Sequence, residues 1–302
     1  MKQGQIVILV SILFLLFQWQ VVGLIPGHWI MVALFNLLFF AHPLTRKLSV
    51  MMIPFVLFEV CYDWMRLFPN YRLNPIDIRG IFETEKALFG ITTASGTVIP
   101  CEYFNLHHSS LADFFAGIFY LFWVPGPIAL AIWLFFKGQR TYAVRFTWAF
   151  LFVNLIGFAG YYLHPTAPPW YALNYGFEPD FSTPGNVAGL ARFDELVGIP
   201  VFHSIYVNNS NIFAAVPSLH AAYMLVTTIY AVKSRQPRWL ILVCGIITVG
   251  IWWTAVYSCH HYIIDVLLGI LTAILGVLLF EGILMRTKFF QRFINNYIQY
   301  IS

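Results

Sequence analysis

Long apolar runs alternate along the chain with short basic segments on one side and long mixed segments on the other. The runs cover roughly residues 5–24, 27–43, 48–65, 112–136, 142–163, 212–232, 239–257 and 262–285. An α-helix rises about 1.5 Å per residue, so 17–25 apolar residues cross about 30 Å of hydrocarbon. The pattern therefore predicts eight membrane helices. The first two are separated by Gln18, Gln20, Gly23, Pro26 and Gly27, which leaves one of that pair open to a re-entrant or interfacial reading. The runs lack the polar alternation of barrel strands. The fold class is all-α, a polytopic transmembrane helical bundle.

Composition strengthens this picture. The 302 residues are 60% hydrophobic and 10% charged, with 30 Phe, 16 Tyr and 10 Trp, far from the balance of a soluble domain. A soluble enzyme and a disordered chain are excluded. Nucleic acid is not expected as a partner, because a formal charge of +4 from 17 basic residues is too small for a phosphate-backbone footprint. The N-terminal apolar run has no small-residue cleavage pattern and reads as a retained span. Three units follow: N-terminal membrane segments at 1–47, a transmembrane domain at 48–285 with long loops at 66–111 and 164–211, and a basic tail at 286–302. Those loops are too long for mere connectors and are expected to fold over one mouth of the bundle. The four cysteines, Cys61, Cys101, Cys244 and Cys259, show no CxxC or metal spacing.

Charge placement orients the bundle. Lys2, Arg46, Lys47, Lys137, Arg140, Arg145, Lys233, Arg235, Arg238, Arg286, Lys288 and Arg292 fall on one side, which is expected to be cytoplasmic. The opposite loops hold Arg66, Arg72, Arg79, Lys86 and Arg192 against a larger number of acids. Both termini then lie inside, and the long loops face outward. All the histidines except His42 fall at or near this outer side. Asn208-Asn209-Ser210 there matches a glycosylation sequon, relevant only in a secretory lumen.

Two constellations carry chemistry. In Tyr257-Ser258-Cys259-His260-His261-Tyr262-Ile263-Ile264-Asp265, His261 and Asp265 are four apart and share a face if helical. An aspartate near a span end needs a partner. An imidazole N–H supplies one and leaves the second ring nitrogen as a nucleophile or base. The same pair also reads as a structural cap. In Ala214-Ala215-Val216-Pro217-Ser218-Leu219-His220, Pro217 suits a first helical turn, free N–H groups there attract an anion, and the Ser218 hydroxyl adds a donor. His220 is placed to give a proton to a leaving oxygen. A Pro-initiated helix with an interfacial histidine is the plainer alternative. Together the two starts suit phosphoryl transfer through a phosphohistidine.

Pro217-Ser218-Leu219-His220 followed by His261-Tyr262-Ile263-Ile264-Asp265 resembles the second and third signature motifs of the type-2 phosphatidic acid phosphatase superfamily. His260-His261-Tyr262 and His164-Pro165-Thr166-Ala167-Pro168-Pro169-Trp170 resemble its inositol phosphorylceramide synthase branch, the target class of aureobasidin-type antifungals. The resemblance covers roughly residues 60–285. It implies a six-helix core, here with one or two extra N-terminal segments, and metal-independent catalysis without a cofactor. It also implies His261 as nucleophile, Asp265 orienting it, and His220 as general acid and then base. The implied reaction passes phosphoinositol from phosphatidylinositol to a ceramide hydroxyl on the non-cytoplasmic face of a bacterial inner membrane or Golgi-type membrane, and releases diacylglycerol.

Two features depart from the superfamily. The Lys-x6-Arg-Pro first motif is absent, and Ala255 stands where an Arg usually precedes the nucleophile by six residues. The phosphate is then expected to rest on Pro217–Ser218, His260 and one or more of Arg66, Arg79 and Lys86. These cations could equally serve headgroups or neighbouring acids, such as Arg66 with Asp63. The Pro-rich 164–170 segment is expected to end the fifth span and wall the pocket. The rival readings are a phosphatase acting on lipid phosphates or polyprenyl diphosphates with the same histidines, and a transporter without chemistry.

Overall fold

A computed structural model describes residues 3–206 and 211–302, so the sequon at 208–210 lies outside the described residues. Helix α1 (Gln3–Phe17) ends in a π turn, and α2 (Pro26–Ala41) follows it. The core then comprises α3 (Pro43–Met51), α4 (Ile53–Trp64), α7 (Ser110–Tyr120), α8 (Pro125–Phe136), α9 (Arg140–Leu163), α13 (Leu219–Lys233), α14 (Arg238–Tyr257) and α15 (Ile263–Gly282). The first long loop holds α5 (Arg79–Phe89), a small antiparallel hairpin of β1 (Ile91–Thr93) and β2 (Gly96–Val98), and α6 (Pro100–Leu106). The second holds α10 (Pro169–Tyr175), α11 (Ala191–Val197) and α12 (Val201–Tyr206), and α16 (Lys288–Ile301) closes the chain.

The chain is an integral membrane protein. Among the described residues four helices are long and apolar enough to cross a bilayer, or up to six if the bent pairs α3–α4 and α7–α8 each count as one span. Helix α13, at 15 residues, is shorter than these and packs among α8, α9, α14 and α15. The spans expected at 48–65 and 112–136 are not single straight helices. They bend by 44° and 46° because Pro54 and Pro125 each sit in the first turn of a new helix, where a ring without an N–H cannot continue the old one. The helix expected as the sixth span begins at Leu219, not at 212, because residues 212–218 form turns, bends and an isolated bridge and carry Pro217.

Helix α9 is the axis of the core, with α4, α8, α13 and α15 packed around it. Phe146 and Phe150 on it are buried against Phe55, Phe58, Tyr223 and Tyr230, and Val153 packs on Gly276 of α15. At the basic end, Glu281 of α15 accepts from Arg145 of α9, Lys233 of α13 at 3.0 Å and the Tyr230 hydroxyl at 2.6 Å. The tail at 286–302 folds as an amphipathic helix: Ile294 and Ile301 of α16 are buried, while Phe289 is 85% exposed. In contrast α1 buries none of its residues in the protein and presents Ile6, Val10 and Leu13 outward, as a lipid-facing helix does.

Candidate active site

The site forms where α13 and α15 begin, beneath the two long loops. Ser218 is the N-cap of α13, its hydroxyl accepting from the Ala221 N–H at 3.3 Å. This corrects the expected role of the preceding proline. Pro217 lies outside the first turn, joined to Val216 by a cis bond and packed on Gly160. The helix instead starts on the serine cap, which places His220 in the first turn. Ser218 is fully buried and its N–H donates to the Asp265 carbonyl at 3.0 Å, so the starts of α13 and α15 are tied together.

His261 does not share a helix with Asp265. It precedes α15, and Asp265 reaches back from the third helical position. The Asp265 carboxylate accepts from the Tyr262 N–H at 3.0 Å and lies 3.2 Å from His261 Nδ1. The pairing read from the spacing is present, but a cap geometry produces it. With Nδ1–H held by the carboxylate, Nε2 carries the lone pair. That nitrogen lies 3.2 Å from Nδ1 of His220. Asp265, His261 and His220 thus form one relay across two helix starts, with Asp265 wholly buried and His261 only 6% exposed.

Aromatic rings hold the imidazoles. His220 stacks on Tyr120 at 5.2 Å and meets Trp123 edge-on at 4.7 Å. His260 lies between Tyr120 and Tyr206, and its Nε2–H donates to the Val187 carbonyl at 2.9 Å. Burial and the neighbouring His261 push the His260 imidazole down to about 3, and burial pushes His261 to about 4. Both are neutral at physiological pH, the state a nucleophilic imidazole needs.

A cavity of about 290 Å³ opens on the relay. His220, His260, His261 and Arg66 line it, together with Pro168 and Trp170 of the Pro-rich segment and Asn186, Tyr206 and Asn211. Ser218 and Pro217 lie behind its wall. Arg79 is elsewhere, its guanidinium 4.2 Å over the Phe177 ring, and Lys86 does not reach the cavity. Arg66 pairs with Asp63 at 2.8 Å. Asp63 in turn accepts from Gln18 at 2.7 Å and lies 3.2 Å from His28, which ties the N-terminal hairpin to the site.

Sequence reasoning missed Glu85. This residue of α5 is 1% exposed and accepts from the Ile263 and Ile264 N–H groups at 2.8 and 3.2 Å. Its carboxylate fills the positive end of α15 beside His261, so an incoming anion is directed away from that terminus. Only its neighbour Lys86 had stood out in the sequence, because a cap from a distant loop leaves no local pattern. Cys259, which precedes the histidine pair, donates its thiol to the Cys101 carbonyl at 3.2 Å; all four cysteines are free.

A helical membrane bundle with two histidines and an aspartate meeting at its loop end defines a class, and comparison agrees. Residues 98–279 match the PAP2 superfamily, and the chain belongs to it. Within it the chain falls in the inositol phosphorylceramide synthase-like branch. It is 56% identical over 301 residues to the phosphoinositol dihydroceramide synthase of Bacteroides thetaiotaomicron, covering 100% of this chain and 99% of that protein. It is 28% identical over 264 residues to the inositol phosphorylceramide synthase catalytic subunit AUR1 of Saccharomyces cerevisiae, covering 85% of this chain and 62% of that protein. The inositol phosphorylceramide synthase of Candida albicans is 34% identical over 156 residues, 51% of this chain and 32% of that protein. No solved structure matches the chain.

Proposed function

We propose that the protein transfers phosphoinositol from phosphatidylinositol to the primary hydroxyl of a ceramide-type lipid, through a phosphohistidine at His261. The observation that carries this reading is the Asp265–His261–His220 relay, with both contacts at 3.2 Å, open to one cavity. His261 Nε2 attacks phosphorus as the bond to the diacylglycerol oxygen breaks, and His220 protonates that oxygen. The acceptor hydroxyl then gives its proton to His220 and attacks phosphorus, and the P–N bond breaks. Asp265 stabilises the imidazolium that forms in between. Arg66 supplies the cation facing the phosphoryl oxygens in place of the missing superfamily arginines. The covering loops slow competing hydrolysis by water. The loop end faces the non-cytoplasmic side, on the strength of the basic residues at the other end.

The test is purified protein in vesicles with headgroup-labelled phosphatidylinositol and dihydroceramide, compared with phosphatidic acid. Label passes to the sphingolipid, and acid quenching avoided, a labelled histidine adduct is trapped on the protein. His261→Ala abolishes both, and His220→Ala slows transfer by about 10²–10⁴-fold. Phosphate release from phosphatidic acid without headgroup transfer identifies a phosphatase and overturns the reading.

A further inference from the structure

The cavity is polar at its loop end and aromatic below. Arg66, Asn186, Tyr206 and His260 gather around the upper part, where a phosphoinositol head group belongs, whereas Phe58, Trp123 and Tyr223 lie deeper in the wall. One side chain breaks the lower wall's apolar character: Glu59 of α4. Two carboxylates line the cavity, Glu59 and Asp63. Asp63 is taken up by Arg66, Gln18 and His28. Glu59, by contrast, has no hydrogen-bond or ion-pair partner among the described residues. A carboxylate within a span is costly unless a partner arrives.

Its depth identifies the partner. Glu59 precedes Arg66 by seven residues, about 10 Å along the helix axis and away from the loop end. On the facing helix it lies within electrostatic reach of Tyr223, whose ring also meets that of Phe58 at 5.7 Å. Tyr223 is itself about one turn deeper than His220. A lipid presenting its primary hydroxyl to His220 and its chains to the bilayer sets its next two carbons at this level. In an N-acyl amino alcohol these carry an amide N–H and a secondary hydroxyl, both donors. In a diacylglycerol skeleton they carry ester oxygens, which only accept and which a carboxylate repels.

We infer that Glu59 is a specificity-determining residue that accepts hydrogen bonds from the amide and secondary hydroxyl of the acceptor lipid, selecting N-acyl amino alcohols over ester lipids. This rests on the proposed transfer reaction. The experiment compares dihydroceramide with its isostere in which the amide is replaced by an ester, using phosphatidylinositol as donor. The wild type prefers the amide by about tenfold or more in kcat/KM, the discrimination expected of a hydrogen bond to a charged group. Glu59→Met, of similar length and without an acceptor, brings that ratio close to unity, and Glu59→Gln, which keeps one accepting oxygen, restores part of it. A merely structural role lowers both rates and leaves the ratio unmoved. An indifferent wild type, or a Glu59→Met ratio equal to that of the wild type, overturns the assignment of Glu59. Absence of transfer by the wild type to any lipid alcohol overturns the reaction itself.

Discussion

At the scale of the residue, the nucleophilic imidazole of His261 and its neighbour His260 are kept uncharged in a confined space. His260 is wedged between two tyrosines and spends its Nε2–H on a backbone carbonyl. Burial holds its imidazole at about 3, against about 6.5 for a histidine in an unfolded chain. Below about 6.5 the unfolded chain binds this proton and the folded protein does not. The stabilisation is therefore complete above about 6.5 and is lost as the pH falls towards about 3. The melting temperature of detergent-solubilised protein is expected to fall between about pH 7 and pH 4. His260→Gln, which cannot take up the proton, is expected to flatten that slope. An equally steep slope in the variant would mean that other groups carry the pH dependence.

At the scale of the element, the relay exists only because two helix starts are clamped together. The clamp is the Ser218 N–H on the Asp265 carbonyl, with the Ser218 cap above it and the Glu85 carboxylate closing α15 from a third segment. Gly269, one turn along α15, makes the close approach possible. A Cβ there would stand 2.1 Å from the Ser218 carbonyl oxygen, which is backbone and cannot swing aside. Gly269→Ala is expected to push the start of α13 away, widen the gap between His220 and His261, and lower transfer at least about 100-fold, as misplaced catalytic groups do. The protein is expected to remain assembled, since elution as a single peak in size exclusion reads the bundle as a whole. Near-normal turnover in this variant would show that the helix starts tolerate separation.

At the scale of the whole molecule, the N-terminal hairpin is part of the site. The buried cluster of Gln18, His28 and Asp63 joins α1 and α2 to α4, and Asp63 holds Arg66 at the cavity. Asp63→Ala leaves a cation and two buried polar groups without their common acceptor, a loss of about 3–5 kcal/mol for a broken buried pair. Thermal unfolding is expected to show this loss, accompanied by weaker transfer as Arg66 is released. An unchanged midpoint would mean that the hairpin merely rests against the core.

Much of this was legible in the chain. Hydrophobic runs long enough for a bilayer determined an all-helical membrane bundle, because lipid leaves a backbone no other way to satisfy its own hydrogen bonds. The spacing of His261 and Asp265, and the PSLH segment before them, announced a pair of histidine-bearing helix starts. Tertiary structure alone decided the rest. That Ser218 caps a helix behind the cavity wall, that Arg66 reaches the cavity while Arg79 and Lys86 do not, that Glu59 lines it and that Glu85 closes α15, depend on contacts between residues far apart in the chain. Such contacts follow from how helices pack in three dimensions, and periodicity along one of them carries no record of its neighbours.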